Sequence, residues 1–357
     1  MKWLKEESIY YPFLLFVVML GLSVTRAPSL VILGIGRNSI WIFIPCLLSV
    51  WLGIWMHQVI ARSGSVSLID ASHQVGGVFL SRSLYACFAV LFTGGTVYFT
   101  YLSGDFLSKT LLFGNLRAYV LLETVLATGI ALLPLKTHAR YAHIMMIFVV
   151  PFFLFISLAP LLHLRWNWVT PLFTRQEWNS PIHAFTSAML VYLPLAAISL
   201  IHDKRRTIHG LSLGILSLII AIITTYFMII GIATFGIKRA GEIIYLTYSV
   251  VNTARIENFV LERIVFIWIL YWKYMQFIGS AFLLRCASRA VAGVIGVRIN
   301  AFIIIPMGLL IAIVEWVSAS PFLAKSLSVP LGFMTFGFLA ILPVCVVLGM
   351  KIRRKLP

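Results

Sequence analysis

Gly21-Leu22-Ser23-Val24-Thr25-Arg26-Ala27-Pro28 interrupts the first long apolar stretch of this chain, and Tyr192-Leu193-Pro194 interrupts the sixth about halfway along. Proline removes a backbone donor, and Ser, Thr and Gly favour non-helical backbone. Each segment is therefore expected to break a helix inside an apolar run. Interrupted segments at corresponding places in two halves mark a membrane protein built as an inverted repeat, with its site near the midplane.

Ten apolar runs of spanning length surround these breaks. They lie near 9–34, 39–60, 79–106, 117–134, 139–163, 182–201, 209–235, 262–284, 299–317 and 328–350. The linkers 61–78 and 236–261, after the second and seventh runs, are both long and amphipathic. The expected fold is an all-α integral membrane protein. It has about ten transmembrane helices as a 5+5 inverted repeat, with helices 1 and 6 broken. Residues 1–357 form a single polytopic domain with halves of approximately 1–165 and 166–357. Five spans per half is an odd number, so the halves run in opposite directions. Pro151, Pro306 and Pro343 are expected only to kink their helices.

Composition agrees with this reading. The chain is 61% hydrophobic and 11% charged, with mean hydropathy +1.00, against roughly 25% charged in soluble domains. An ordinary soluble enzyme, a disordered chain and a nucleic-acid-binding domain are thereby excluded. The net charge of +17 is split among short segments between apolar runs. Lys and Arg gather on one set of loops, which places both termini in the cytoplasm. The strongest anchors are Lys204-Arg205-Arg206 and Lys351-Ile352-Arg353-Arg354-Lys355. No small-x-small cleavage site follows the first run, so it is read as a retained span. Cys46, Cys87, Cys286 and Cys345 form no CxxC pair, and the eight histidines show no metal spacing. No phosphate loop, HExxH or GxSxG occurs, so neither an enzyme nor a cofactor is expected.

Ionisable groups inside a bilayer are costly and usually face the protein interior or water. Lys273 lies eleven residues into the eighth run, near the midplane. It reads either as counter-charge to a ligand carboxylate or as a structural partner of a buried acid. Arg26, within the first break, is either an anion clamp or a headgroup anchor. Thr93-Gly94-Gly95-Thr96 in the third run offers hydroxyls and close approach to a ligand, or equally to another helix. Glu123 and Glu315 are buried by depth. Asp105 and Glu262-Arg263 sit at span ends and read as a structural ion pair that fixes loop geometry. The candidate ligand site joins Gly21, Ser23, Thr25, Arg26, Thr93, Gly94, Gly95, Thr96, Tyr192, Pro194 and Lys273, between runs 1, 3, 6 and 8.

Several motifs carry a family resemblance. Phe259-Val260-Leu261-Glu262-Arg263 resembles the start of the eighth span in spore germination permeases. These are the B subunits of GerA-type germinant receptors, related to the amino acid–polyamine–organocation superfamily. Asp105-Phe106-Leu107-Ser108-Lys109-Thr110-Leu111-Leu112 resembles the end of that family's third span, and Trp166-Asn167-Trp168-Val169-Thr170-Pro171-Leu172 the segment after its fifth. Two positions depart. Tyr192-Leu193-Pro194-Leu195-Ala196-Ala197 keeps only the proline of a Ser-x-Pro-Phe-Gly-Glu run, and Tyr101 stands where an arginine is usual. The resemblance implies a multi-pass protein of the spore inner membrane. It would act beside an A subunit and a C-subunit lipoprotein, and bind a small-molecule germinant such as an amino acid in a transporter-like pocket. The alternative is a secondary transporter of amino acids or other small solutes.

Overall fold

The computed structural model describes residues 2–65, 67–111, 114–158, 160–161, 164–174, 178–200, 210–253, 265–318, 320 and 323–353. The Lys204-Arg205-Arg206 anchor, the end of the C-terminal tail and Glu262-Arg263 lie outside these residues.

The first break falls where the sequence puts it. Helix α1 (Lys2–Ser23) ends at a turn, and α2 (Ala27–Ile35) resumes with Pro28 in its first turn. With the short 3-10 stretch that follows, the two halves bend by 54°. A helix end in an apolar setting must satisfy its carbonyls locally. Here Ser23 Oγ donates to the Leu20 carbonyl at 2.8 Å and Thr25 Oγ1 to that of Leu22 at 2.6 Å. Gln276 Nε2 donates to the Gly21 carbonyl at 3.0 Å.

The second break lies between α7 (Pro181–Leu190) and a 3-10 helix over Leu193–Ser199, with a bend of 58°. Pro194 stands in the first turn of that 3-10 segment. The segment is tied to α3 (Phe43–Arg62) through buried His57. His57 Nδ1 lies 2.8 Å from the Gly53 carbonyl and must donate there, so Nε2 accepts from Ser199 Oγ at 2.9 Å.

The remaining helices are α4 (Leu68–Phe106), α5 (Leu116–Ala131), α6 (Leu135–Leu158), α8 (Gly210–Phe235), α9 (Ile237–Glu242), α10 (Leu246–Thr253), α11 (Val265–Ile295), α12 (Ala301–Ser318), α13 (Leu323–Phe336) and α14 (Leu342–Ile352). Among the described residues, six helical stretches are long and apolar enough to cross a membrane, and three bent pairs raise the number to nine. One such pair, α5 with α6, bends by 110°. Counting its two helices as separate spans gives the expected ten.

The two amphipathic linkers take related forms. Residues 68–76 are a short helix capped by Ser67, whose hydroxyl accepts from the Asp70 amide at 3.1 Å. It joins the third span through Gly77, at φ +72°, a conformation that favours glycine. In the second linker, α9 and α10 form two short helices after Gly236. The eighth span runs past the expected Leu284 to Ile295. Arg285 and Arg289 end the apolar run there but not the helix, and Arg285 Nη1 donates to the terminal Ala131 carbonyl of α5 at 2.6 Å.

Pro151 and Pro306 lie inside α6 and α12, and Pro343 opens α14 after a π-helical turn at Gly337–Ile341. All four cysteines are free. Helices α4 and α11 form the most extensive pair in the bundle, and α5, α12 and α1 pack around them.

Candidate functional site

Lys273 projects from α11 toward α5 and α4. Its Nζ donates to Glu123 Oε1 and to Ser103 Oγ, and it lies 5.1 Å from the Phe277 ring centroid. Glu123 is 1% exposed, and its other oxygen has no hydrogen-bond partner among the described residues. Glu315 on α12 completes the cluster. Its two oxygens meet the Thr100 and Thr124 hydroxyls, and it lies close enough to Glu123 to feel that charge. Ser103 and Thr100 are one turn apart on α4, while Thr124 follows Glu123 on α5. The third, fourth, eighth and ninth spans are thus joined by two adjacent buried sets of polar contacts, Lys273 with Glu123 and Ser103, and Glu315 with Thr100 and Thr124. Such contacts hold helices in register because separating them would strand charge in a low dielectric.

A second polar group lies further along α4. Asp105 pairs with Lys109 Nζ at 2.7 Å and accepts from Tyr245 Oη at 2.6 Å. Phe106 meets Tyr245, Tyr248 and Trp272 edge-on, with centroids 4.5 to 5.1 Å apart. The linker residue Tyr245, just before α10, is thereby fixed onto the third span. Asp105 thus contacts Lys109 and Tyr245; Glu262 and Arg263, expected to take part with it in a structural ion pair, lie outside the described residues.

Arg26 occupies the first break. It is half-buried, and its guanidinium has no hydrogen-bond or ion-pair partner among the described residues. Its charge reaches the hydroxyls of Tyr98, Tyr101 and Tyr245. Tyr101 Oη donates to the Ser320 carbonyl, while the buried Tyr98 hydroxyl has no partner among the described residues. Arg26 also precedes α2, whose N-terminus carries no side-chain cap. A cation beside uncapped helix N–H groups favours an anion.

The structure separates the sequence-selected residues. Arg26 opens onto the break. Ser23 and Thr25 cap α1, so their protons are already placed, and the Gly21 backbone lies against Met275, whose Cβ a glycine side chain would meet at 3.3 Å. Gly94 and Gly95 are close-packed, and the Thr96 hydroxyl is taken by its own helix. A Cβ on Gly94 would meet Leu331 at 2.8 Å, one on Gly95 would meet Leu193 at 3.1 Å, and Thr96 Oγ1 donates to the Phe92 carbonyl at 2.7 Å. Thr93 faces an apolar groove of about 430 Å³ with Met307 and Leu327. Tyr192 turns away toward the seventh span, donating to the Ser217 carbonyl at 3.3 Å. Lys273 faces the fourth span, not the breaks. Gln276, Tyr245, Ser103, Thr100 and Thr124 were not singled out from the sequence. Gln276 carries a usable signal, as a second polar side chain one turn beyond Lys273 in an apolar run.

Residues 8–323 match the Spore_permease family, described as spore germination protein. The chain belongs to that family. No curated protein matches the chain. Among solved structures, a mutant of the manganese transporter of Eremococcus coleocola aligns with a TM-score of 0.56 at 13% identity, covering 97% of this chain and 77% of that one. The same transporter, in complex with an aromatic bis-isothiourea-substituted compound, gives 0.55 at 13% identity over 98% and 79%. At that identity the likeness shows the fold. This spore germination permease is therefore a multi-pass membrane protein with a transporter-like helical architecture and two broken spans.

Proposed function

We propose that this spore germination permease is the germinant-sensing membrane subunit of a receptor, and that it binds a carboxylate-bearing small molecule such as an amino acid at the break in its first span. The observation that carries this reading is Arg26. It is a half-buried guanidinium without a partner among the described residues, beside an uncapped helix N-terminus and the unpartnered Tyr98 hydroxyl. A carboxylate would complete all three. Lys273 serves the receptor differently on this view. Paired with Glu123, it holds the third, fourth and eighth spans together behind the site.

The reading carries further parts. The chain would lie in the spore inner membrane with its termini in the cytoplasm and signal through an A subunit and a C-subunit lipoprotein. Its halves, about 1–165 and 166–357, would be the two repeats. The runner-up is a secondary transporter, and the aligned manganese transporter supports that reading through its fold. Spores deleted for this gene, challenged with a panel of amino acids, sugars and nucleosides, should fail to germinate with one class of them. Normal responses across the panel would refute the receptor reading. Concentrative uptake of that germinant by the purified protein in liposomes would favour the transporter.

A further inference from the structure

The outer halves of both broken spans and the start of the tenth enclose an open cavity of about 670 Å³. It lies at the end of the bundle opposite Lys351, because α13 and α14 run as one long stretch from Leu323 to Ile352. The seams between its walls are tight. The Ser180 amide donates to the Gly34 carbonyl at 2.8 Å, joining α2 to α7. A Cβ on Gly332 would fall 2.1 Å from the Thr186 carbonyl oxygen, so α7 and α13 meet backbone to backbone. The cavity is thus a fixed feature of helix packing, and its size suits a small molecule.

Its chemistry is one-sided. Lys325 lines it, exposed and without an ion-pair partner among the described residues, and the His183 imidazole lines it from α7. No Asp or Glu is among the described lining residues. Ser187 is 3% exposed, lines the same space and has no hydrogen-bond partner among the described residues. Ser328, by contrast, is spent on the Lys325 carbonyl at 2.8 Å. Leu30, Leu33 and Val329 give the wall an apolar side. One ammonium, an imidazole and an open buried hydroxyl beside an apolar wall suit a short-chain organic anion. Among the described lining residues a zwitterion would find no carboxylate for its ammonium, and a cation would be repelled.

We propose that this outer cavity is a second binding site, separate from the break in the first span, and that it takes small organic monoanions in preference to zwitterions and cations. Its test needs no germination response and so stands apart from the receptor reading. Ser187→Cys is placed in the full chain with its four cysteines replaced, and the protein is reconstituted in lipid nanodiscs. Reaction of that thiol with a neutral methanethiosulfonate is timed in the presence of millimolar butyrate or butylammonium. Butyrate should slow the reaction and butylammonium should not. Anionic and cationic methanethiosulfonates are then compared. Their rate ratio, normalised to a free thiol, should fall by about threefold or more in Lys325→Gln, the scale of a unit charge several ångströms away in a water-like medium. Lys325→Arg should retain it. Ser326→Cys, also on the lining, replaces the first reporter if that variant does not give a monodisperse protein. Equal protection by the two butyl compounds, no protection by either, or a rate ratio unchanged in Lys325→Gln would overturn the proposal.

Discussion

Lys273→Met removes the ammonium that holds Glu123. The carboxylate left behind is 1% exposed, and its Oε2 has no hydrogen bond among the described residues. Two effects compete in setting the size of the loss. The neutral part, the contact with Ser103, is small, since hydrogen bonds between membrane helices average roughly 0.6 kcal/mol. The charged part is large, because breaking a buried pair from one side costs about 3–5 kcal/mol. Replacing both partners by apolar side chains is often neutral, for no uncompensated charge remains. Lys273→Met and Glu123→Leu should therefore each destabilise the protein by about 3–5 kcal/mol. The double variant should lose less than either single one. Equilibrium unfolding in mixed detergent–SDS micelles, with wild type and the three variants run together, gives the cycle. Additive losses, the double variant falling by the sum of the two singles, would refute the pairing.

Three further outcomes follow from the packing. Gln276→Leu leaves the Gly21 carbonyl without its donor and should cost about 1–3 kcal/mol in the same unfolding assay; an unchanged midpoint would mean that the first break is satisfied otherwise. Gly332→Ala drives a methyl into the Thr186 carbonyl, so the yield of monodisperse protein should fall sharply, and a wild-type yield would show that α7 and α13 are not in contact. Glu315→Leu should cost within about 1 kcal/mol, well below Glu123→Leu, because the Thr100 and Thr124 hydroxyls keep the Thr96 and Val120 carbonyls at 2.7 and 3.1 Å as acceptors. Equal losses in the two glutamate variants would show that Glu315 carries a charge that needs those hydroxyls.

Much of this architecture could be read from the chain alone. The breaks were legible because Gly21, Ser23, Thr25, Pro28 and Pro194 are helix-weakening residues set inside apolar runs. The spans were legible because a bilayer demands about 20 apolar residues. Helix ends were less so. Arg285 and Arg289 stopped the hydropathy run at Leu284, yet α11 continues to Ile295 and Arg285 caps α5. The rotational setting of each helix was not legible. A span that is apolar all round has no polar stripe to show which way a given residue faces. Lys273 and Glu123 could each be placed at depth, but 150 residues separate them, and nothing in either run says that they meet. For the same reason Tyr192, beside Pro194 in sequence, turned out to face Ser217, and Gly95 to receive Leu193. Arg26 is the exception, because a residue in the break itself has no helix face to choose.

Germinant dose–response in spores carrying Arg26→Gln tests most directly whether the break in the first span holds the ligand. The variant should be produced at wild-type abundance, and the germinant should be the carboxylate-bearing compound whose response the deletion abolishes. A charge-assisted hydrogen bond is worth about 1.5–3 kcal/mol. The half-maximal concentration should therefore rise by roughly 10- to 100-fold, with the maximal response recovered at high concentration. Arg26→Lys, which keeps the charge but not the fork of donors, should fall between. A half-maximal concentration unchanged in Arg26→Gln, at equal abundance, would contradict the assignment of the germinant to this break.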